Sequence, residues 1–559
     1  MPTRNITRDI AKWAAELRFE QIPPRVVNLA KCQAASVFAS AHAGLATRAG
    51  QRLLASARTH GAPGDIPILA TGETFHLDTA LQVNAGLGMA LDYDDYLFMG
   101  HPGHSAVWTA WLLGKSLGSS AEEILTAQVV ANEFGGRLGA ACIFSPQNGQ
   151  LWSHIHLGSA ALAAGILLGL DDAQMAHALG IAYAQPNYGL FPGFMAPDSK
   201  LLTAATPTLT GLQAARYAQA GMTGSPTILE DRKGFLRHFC YSPVWGMLSG
   251  WGDAWVLDSL AVKPYPGCAY LDTTIDVILD LVRRIRVEKG KLLPEDVGAV
   301  HVEATLLSME MNRLSVEHFD PEQLSPVNIN FNVPVNVAIA LLHGALTPQC
   351  LTEDALTTDR EAIVSLASKV TLSHNWSYSL ALLRELDSTL GTQRFFKGMR
   401  GQDFGSIMLR ARKDLDHGEP AFQLAGLLPA WKAMTRENRS FVRRMASRGM
   451  RGLSRKTTRS PEGLEGVDFR QVRMPFASRV TLTLRDGSVY VGQSDLARGT
   501  TARGDVMDVT HAKLVNELSA TCRPEQARQA WATLQDFETV GVHNVLSAVT
   551  ASRPAQPLS

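Results

Sequence analysis

Hydrophobic residues in the first 250 positions recur at the spacing of α-helices. One apolar stripe, at i, i+3, i+4 and i+7, consists of Ile10, Trp13, Ala14 and Leu17. Ser120 and Glu123 have the spacing of a capping box and predict the start of another helix. A further helix is predicted from about 79 to 91, where Ala85 and Gly88 would let a neighbouring helix approach closely. The pattern therefore predicts an all-helical domain over residues 1–262.

After Pro264 the pattern changes to alternation. Residues 300–304 and 479–484 read as half-buried strands, and residues 485–488 as the turn of a hairpin. A helix over 335–342 makes this a mixed α+β domain, which we predict over 263–495. Helical segments at 509–518 and 524–546 predict that residues 496–559 return to the helical domain. The predicted fold class is thus mainly α, with a smaller α+β domain.

A helical and strongly basic insertion is predicted inside the α+β domain, at about 379–470. Its most basic part, Arg436 to Arg459, carries nine Lys or Arg and one acidic residue. Nucleic-acid binding is one interpretation, because basic side chains neutralise phosphates, but Phe441 is the only aromatic residue in this stretch, so no base-stacking surface is indicated. We expect instead an arm in which Phe441 and Met445 pack against the helical domain or a second subunit.

The composition excludes several classes of protein. Of 559 residues, 46% are hydrophobic and 19% charged, which suits a large core. Lys plus Arg and Asp plus Glu both number 52, so no net charge draws the chain to nucleic acid or membrane. The six cysteines show no metal-ligand spacing, and no phosphate-binding glycine motif follows a predicted strand. The N-terminus lacks the apolar core of a signal peptide, so we expect a cytoplasmic protein.

The densest polar cluster runs from Asp92 to Asp95 and continues with His101 and His104. Their spacing predicts that Asp92 and Asp95 share a helix face, and the loop from Met99 to Gly103 can turn both imidazoles back toward them. A carboxylate beside an imidazole orients the ring and raises its basicity for proton transfer. The alternative is an acidic helix end followed by two capping or exposed histidines.

Other charged residues carry weaker signals. Glu133 and Arg137, spaced i, i+4, are either a surface ion pair or an arginine offered to a substrate carboxylate. His154 and His156 would face different sides of a helix, so we predict no metal pair there, although one of them could face a cavity. Lys200 alone says little, since a lone lysine is usually exposed.

Several ordered motifs together resemble the MmgE/PrpD family. The resemblance begins at the Asp92 segment with its following His-Pro, and it covers most of residues 8–345 and again 479–518. The matching segments include Asn132 to Gly139, Leu167 to Asp171, Asp198 to Gly224 around Lys200, and Lys263-Pro264-Tyr265-Pro266-Gly267-Cys268.

The resemblance implies a large helical domain and a smaller α+β lid, with the site in the cleft between them and neither a metal nor an organic cofactor. It implies that Asp92, Lys200 and either His101 or His104 are active-site residues, with His154 or His156 as a second histidine. The remaining residues predicted to bind substrate are Arg137, Lys263, Tyr265 and Asp272. Two positions depart from the family: Asp272 stands where histidine is common, and Val335 where tyrosine is common.

From these residues we expect a cofactor-independent lyase of the dehydratase type, or an isomerase or epimerase, acting on a small carboxylate. His101 or His104 would move the proton, Asp92 would orient the histidine, and Lys200 with Arg137 would hold carboxylate charge. The alternatives are decarboxylation of a tricarboxylate such as cis-aconitate, or a binding protein without catalysis. We expect a homodimer that binds neither nucleic acid nor membrane.

Overall fold

The structure is a computed structural model that describes residues 5–145, 153–187, 189–391, 405, 409, 431–432, 434–454 and 463–552. Helices dominate it, which confirms the mainly α fold class. Among the described residues, no helix is both long and apolar enough to span a bilayer.

The N-terminal half is built from helices and two short β-pairs. The helices are α1 (Ile6–Glu16), α2 (Pro24–Gly44), α3 (Arg48–His60), α4 (Leu77–Met89), α5 (Gly103–Leu117), α6 (Ala121–Ala141), α7 (Ser153–Leu167), α8 (Asp172–Ala182), α9 (Phe191–Phe194), α10 (Leu202–Gln219) and α11 (Phe235–Phe239). The strands are β1 (Ile66–Pro67), β2 (Thr74–Phe75), β3 (Asp95–Leu97) and β4 (Leu260–Val262). Strands β1 and β2 pair with each other, as do β3 and β4, each pair antiparallel.

The C-terminal half adds a sheet. Its helices are α12 (Asp272–Lys289), α13 (Leu306–Val316), α14 (Pro326–Ile329), α15 (Val333–His343), α16 (Glu353–Thr358), α17 (Arg360–Ala367), α18 (Trp376–Leu390), α19 (Arg436–Ser454), α20 (Val506–Thr521), α21 (Pro524–Gln535) and α22 (Phe537–Val549). Its strands are β5 (Val297–Ala304), β6 (Val370–His374), β7 (Ser478–Leu484) and β8 (Val489–Ser494), in the order β6-β5-β7-β8. Strand β5 is parallel to β6 and antiparallel to β7.

Local signals in the sequence are matched by the structure. Ser120 and Glu123 form the predicted capping box at the start of α6. The predicted hairpin is present as β7 and β8, and Gly487 in its turn has a φ of +86°, which glycine adopts without steric cost. The predicted helix over 335–342 is present within α15.

The described residues form two large hydrophobic cores. One joins the N-terminal helices to α20, α21 and α22 and contains residues such as Phe38, Trp108 and Leu514. The other lies between the four-stranded sheet and α12 and α15, and it also takes in Leu91 and Tyr93 from the N-terminal half. The segment around Asp92 therefore lies where the two cores meet.

The basic insertion is described only in part. Helix α19 lies within the predicted helical and basic insertion, and Phe441 is buried with the guanidinium of Arg384 over its ring. Asn438 donates to the hydroxyl of Ser377, so α19 contacts α18 of the same chain. The basic residues predicted at 455–459 and most of 392–430 lie outside the described residues.

One helix boundary differs from its prediction. Helix α4 ends at Met89 rather than near 91, and Asp92 has a φ of +48°, outside the helical region. Asp95 lies in β3, opposite Val262. The prediction that Asp92 and Asp95 share a helix face is therefore wrong, because the chain leaves the helix before either residue.

Candidate active site

A turn between α4 and β3 carries Asp92 and Asp94. Segments distant in sequence hold its backbone: the Nζ of Lys263 donates to the carbonyl of Asp92 at 2.7 Å, and the N–H of Lys263 to the carbonyl of Asp94 at 3.2 Å. The N–H of Gly267 donates to the carbonyl of Leu91 at 2.9 Å. A backbone with positive φ at a residue with a side chain persists only where its surroundings hold it, and these contacts do so.

Asp94 is the centre of a buried group of charged side chains. Its Oδ2 lies 2.9 Å from Nδ1 of His101 and 3.3 Å from Nε2 of His104, and its Oδ1 accepts from Nζ of Lys263 at 2.6 Å. The sequence assigned the orienting carboxylate to Asp92, and the structure gives that position to Asp94. The sequence thus predicted a carboxylate beside the histidines but assigned it to a residue two positions too early in the chain.

The structure distinguishes the two histidines by their exposure. The side chain of His101 is 16% exposed and that of His104 is 1% exposed. His104 packs against α4 at Gly88, where a Cβ would come within 3.2 Å of its ring, so the predicted small-residue stripe makes room for it. Nδ1 of His101 is held by Asp94 and by the carbonyl of Asp95.

Asp92 pairs with Lys200, a residue 108 positions away. The two side chains form a hydrogen-bonded ion pair, and both are almost completely buried. The ammonium of Lys200 also lies 4.8 Å from the ring centre of Phe194 and 4.6 Å from that of Phe331. Asn330 donates to Oδ2 of Asp92 at 3.1 Å. Lys200 therefore lies in the predicted cluster rather than in solvent.

Burial and mutual charge set the protonation of this group. Burial alone would raise the pKa of Asp94, but Lys263 and His101 hold that pKa well below its usual range. Burial lowers the pKa of Lys263, and Asp94 and Asp92 outweigh it and raise that pKa. Burial lowers the pKa of Lys200 despite Asp92. Burial and the charge of Asp94 raise the pKa of Asp95 to about 6.

His156 and His154 face different neighbours, as their spacing predicts. Nδ1 of His156 lies 2.9 Å from the hydroxyl of Ser105 in α5, and its ring centre lies 6.0 Å from that of His104. His154 packs against Phe239 with ring centres 4.4 Å apart, and burial lowers its pKa to about 3. Of the two, His156 is the one beside the cluster around Asp94.

Arg137 does not join the cluster. Its guanidinium forms a fully buried ion pair with Glu133, and it donates to the carbonyls of Ser249, Gly250 and Ala254. Glu133 in turn accepts from the backbone of Val256 and Leu257, at 3.0 Å each. The sequence left this pair either at the surface or directed toward a substrate, and the structure shows neither arrangement. The pair connects α6 to residues 249–257, and the N–H groups of Arg137 are used in these contacts.

Tyr265 and Asp272, also predicted to bind substrate, lie on the side of the α+β core. The hydroxyl of Tyr265 donates to Oδ1 of Asp276 at 2.8 Å, so it is directed to α12. Asp272 is the first residue of α12 and is 2% exposed, and burial raises its pKa well above the usual range. Val335 is buried in the first turn of α15.

Besides Asp94, sequence reasoning missed Asn330 and Lys513. Asn330 lies in an Asn-Phe-Asn segment, and no feature of that segment marks it as part of a site. Lys513, in α20, contacts the turn that carries Asp92 and Asp94. Its sequence position did mark it, because it lies on the apolar stripe of that helix, at i+7 from Val506 and beside Leu514. A charged residue on a buried stripe needs a partner, and that requirement marks it as a candidate.

Among the described residues, no three His, Cys, Asp or Glu side chains are grouped in a way that would hold a metal ion. The sequence predicted that the activity needs none, and this stays a prediction.

Comparisons with known proteins bear on the same region of the chain. Residues 8–247 match the MmgE/PrpD N-terminal domain, and this range includes Asp92, His101, His156 and Lys200. A cis-aconitate decarboxylase from Aspergillus terreus (strain NIH 2624 / FGSC A1156) is 26% identical over 400 residues, which cover 66% of this chain and 78% of the relative. A second cis-aconitate decarboxylase from Aspergillus terreus is 25% identical over 398 residues, with the same coverage.

Proposed function

Because the chain belongs to the MmgE/PrpD family, we propose that it is a lyase or isomerase that acts on a small carboxylate without a cofactor. The observation that carries the proposal is the carboxylate of Asp94, which contacts His101, His104 and Lys263 at once. A partly exposed histidine held by an ionised carboxylate is suited to proton transfer. The lysines nearby supply positive charge for a carboxylate ligand.

In the proposed reaction, Nε2 of His101 removes a proton from the carbon next to a substrate carboxylate. Asp94 stabilises the imidazolium that forms, since its negative charge lies at the opposite ring nitrogen. Lys200 and Lys263 stabilise the negative charge that develops on the substrate. Loss of hydroxide from the neighbouring carbon completes a dehydration. Return of a proton to the opposite face of the same carbon completes an epimerisation, and its return to a different carbon completes an isomerisation. None of these outcomes needs an electron acceptor.

Decarboxylation is a second candidate, and the names of the two Aspergillus terreus relatives favour it. Loss of carbon dioxide leaves an electron pair on carbon, which then takes a proton. His101 in its imidazolium form is placed to give that proton, so the same residues serve with the proton moving in the opposite direction. The substrate would be an unsaturated tricarboxylate such as cis-aconitate.

The test is to incubate the purified protein in D₂O with hydroxy acids and with unsaturated di- and tricarboxylates, cis-aconitate among them. Absorbance of a new double bond indicates dehydration, release of carbon dioxide indicates decarboxylation, and deuterium uptake without net product indicates epimerisation or isomerisation. Tight binding without any of these would identify a binding protein and refute the catalytic proposal.

His101→Asn should lower the rate by about 10² to 10⁴, the usual contribution of general acid–base catalysis. His60→Asn is the matched control, since His60 is an exposed histidine at the end of α3. Equal activity of His101→Asn and His60→Asn would remove His101 from the mechanism.

A further inference from the structure

Lys513 reaches the back of the Asp92–Asp94 turn from the C-terminal helix α20. It is 3% exposed, and its Nζ donates to the carbonyl of Tyr93, to the hydroxyl of Ser36 at 2.9 Å and to the carbonyl of Lys263 at 3.4 Å. The ammonium also lies 3.7 Å from the centre of the Tyr93 ring. One buried cation thus contacts the residue between Asp92 and Asp94, and also the backbone of Lys263.

The turn is therefore held by two lysines from different parts of the chain. Lys263 bonds the carbonyl of Asp92 and the carboxylate of Asp94, and Lys513 bonds the carbonyl between them. Since the carbonyls at 92 and 93 are consecutive, the position of each lysine constrains the positive-φ conformation of Asp92. Lys513 contacts no side chain proposed to meet the substrate; it acts on the site through the backbone of Tyr93 and Lys263 and through its charge.

We propose that Lys513 is a positioning residue of the site, which from α20 fixes the turn that presents Asp92 and Asp94 and adds its positive charge behind Asp94. This goes beyond the proposed function, because it concerns how the charged cluster is held, whichever reaction the cluster performs. It also gives the C-terminal helix a part in the site, although α20 follows Lys200 by some 300 positions.

The charge of Lys513 is balanced by the groups around it. The titratable groups that act on it are Asp94, Glu517, Lys263 and Asp95, with Tyr93 lying beneath its ammonium. Burial lowers the pKa of Lys513 to about 7, against the raising effects of Asp94 and Glu517. Glu517, one turn further along α20, has its pKa raised by burial to about 7, while its hydrogen bond with Tyr93 lowers it. Protonation of Lys513 therefore changes within the neutral range.

The test measures the titration of His101 without relying on turnover. Diethyl pyrocarbonate acylates neutral imidazole, so its rate at His101, read by peptide mass spectrometry from pH 5.5 to 8, reports the ionisation of that ring. His60 serves as an exposed reference within each sample. Lys513→Met removes the cation, while Lys513→Arg keeps it. Lys31→Met is the matched control, since Lys31 is another buried lysine on the helical core, bonded to Gln535 and Glu538.

In Lys513→Met we expect acylation of His101 near pH 6.5 to be slower than in the wild type, by at most about threefold, the change that half a pH unit produces. The reason is that loss of a nearby cation favours the imidazolium. Lys513→Arg should restore the rate at pH 6.5, and at pH 8 it should make His101 more reactive than in the wild type, because arginine stays charged there. Lys31→Met should leave the His101 profile unchanged.

A His101 profile that is the same in Lys513→Met, Lys31→Met and the wild type would overturn the proposal and leave Lys513 a purely structural residue. If Lys513→Met does not fold, the Arg variant decides alone: a profile identical to the wild type at pH 8 would refute the role of its charge. The outcome is independent of the proposed reaction, because a protein that turns over no carboxylate still gives a His101 profile.

Discussion

Arg137→Met tests whether this arginine belongs to the folded framework or to the substrate site. Methionine keeps much of the apolar stem but removes the guanidinium. Glu133, which is 1% exposed, would then keep only its backbone partners at Val256 and Leu257. The carbonyls of Ser249, Gly250 and Ala254 would lose the guanidinium as a donor, although that of Gly250 keeps two backbone N–H donors. Breaking a buried ion pair by removing one partner costs about 3 to 5 kcal/mol, because the remaining charge is left uncompensated.

The measurement is urea unfolding followed by tryptophan fluorescence. Trp251 is a local probe, since the Arg137 guanidinium lies 4.6 Å from the centre of its ring. The matched control is Arg52→Met, which removes an ion pair with Asp198 in which both side chains are largely exposed. An exposed pair contributes about 0 to 1 kcal/mol to stability, so the free energy of unfolding of this variant should be close to that of the wild type.

A double variant separates the pair from the rest of the structure. In Glu133→Gln with Arg137→Met, no uncompensated charge remains, so we expect part of the lost stability to return. The reasoning would be refuted if the free energy of unfolding of Arg137→Met lay within about 1 kcal/mol of the wild-type value while the variant lost its affinity for small carboxylates. That result would indicate that Arg137 binds the substrate.

Two further predictions concern charge and metal. The folded-state pKa of Asp95 is raised to about 6, so ionising it costs the folded protein stability, a cost absent below pH 4 and complete above pH 6. Asp95→Asn should therefore gain stability relative to the wild type as pH rises from 4.5 to 8, by at most about 3 kcal/mol in urea unfolding; a gap that does not grow with pH would contradict this. Activity, once a substrate is found, should survive dialysis against a chelator, and loss with recovery on adding a divalent ion would show that the metal-independence prediction is wrong.

Local patterns in the sequence were sufficient for the elements that depend on neighbours in the chain. The capping box at Ser120 and Glu123, the hairpin around Gly487 and the helix α15 all follow from spacing and turn chemistry within about ten residues. The polar residues from Asp92 to His104 were also found from the sequence, because so many titratable groups in so short a segment are unusual.

What only the tertiary structure decided is the role of each charged side chain. Spacing alone could not show that the helix ends at Met89, nor that the positive φ of Asp92 brings Asp94, rather than Asp92, to the histidines. The i, i+4 spacing of Glu133 and Arg137 is the same whether the pair lies at the surface or is buried. Burial, the direction of a side chain and the arrival of Lys513 from α20 depend on packing between segments hundreds of positions apart, and a periodic pattern contains no information about which segments meet.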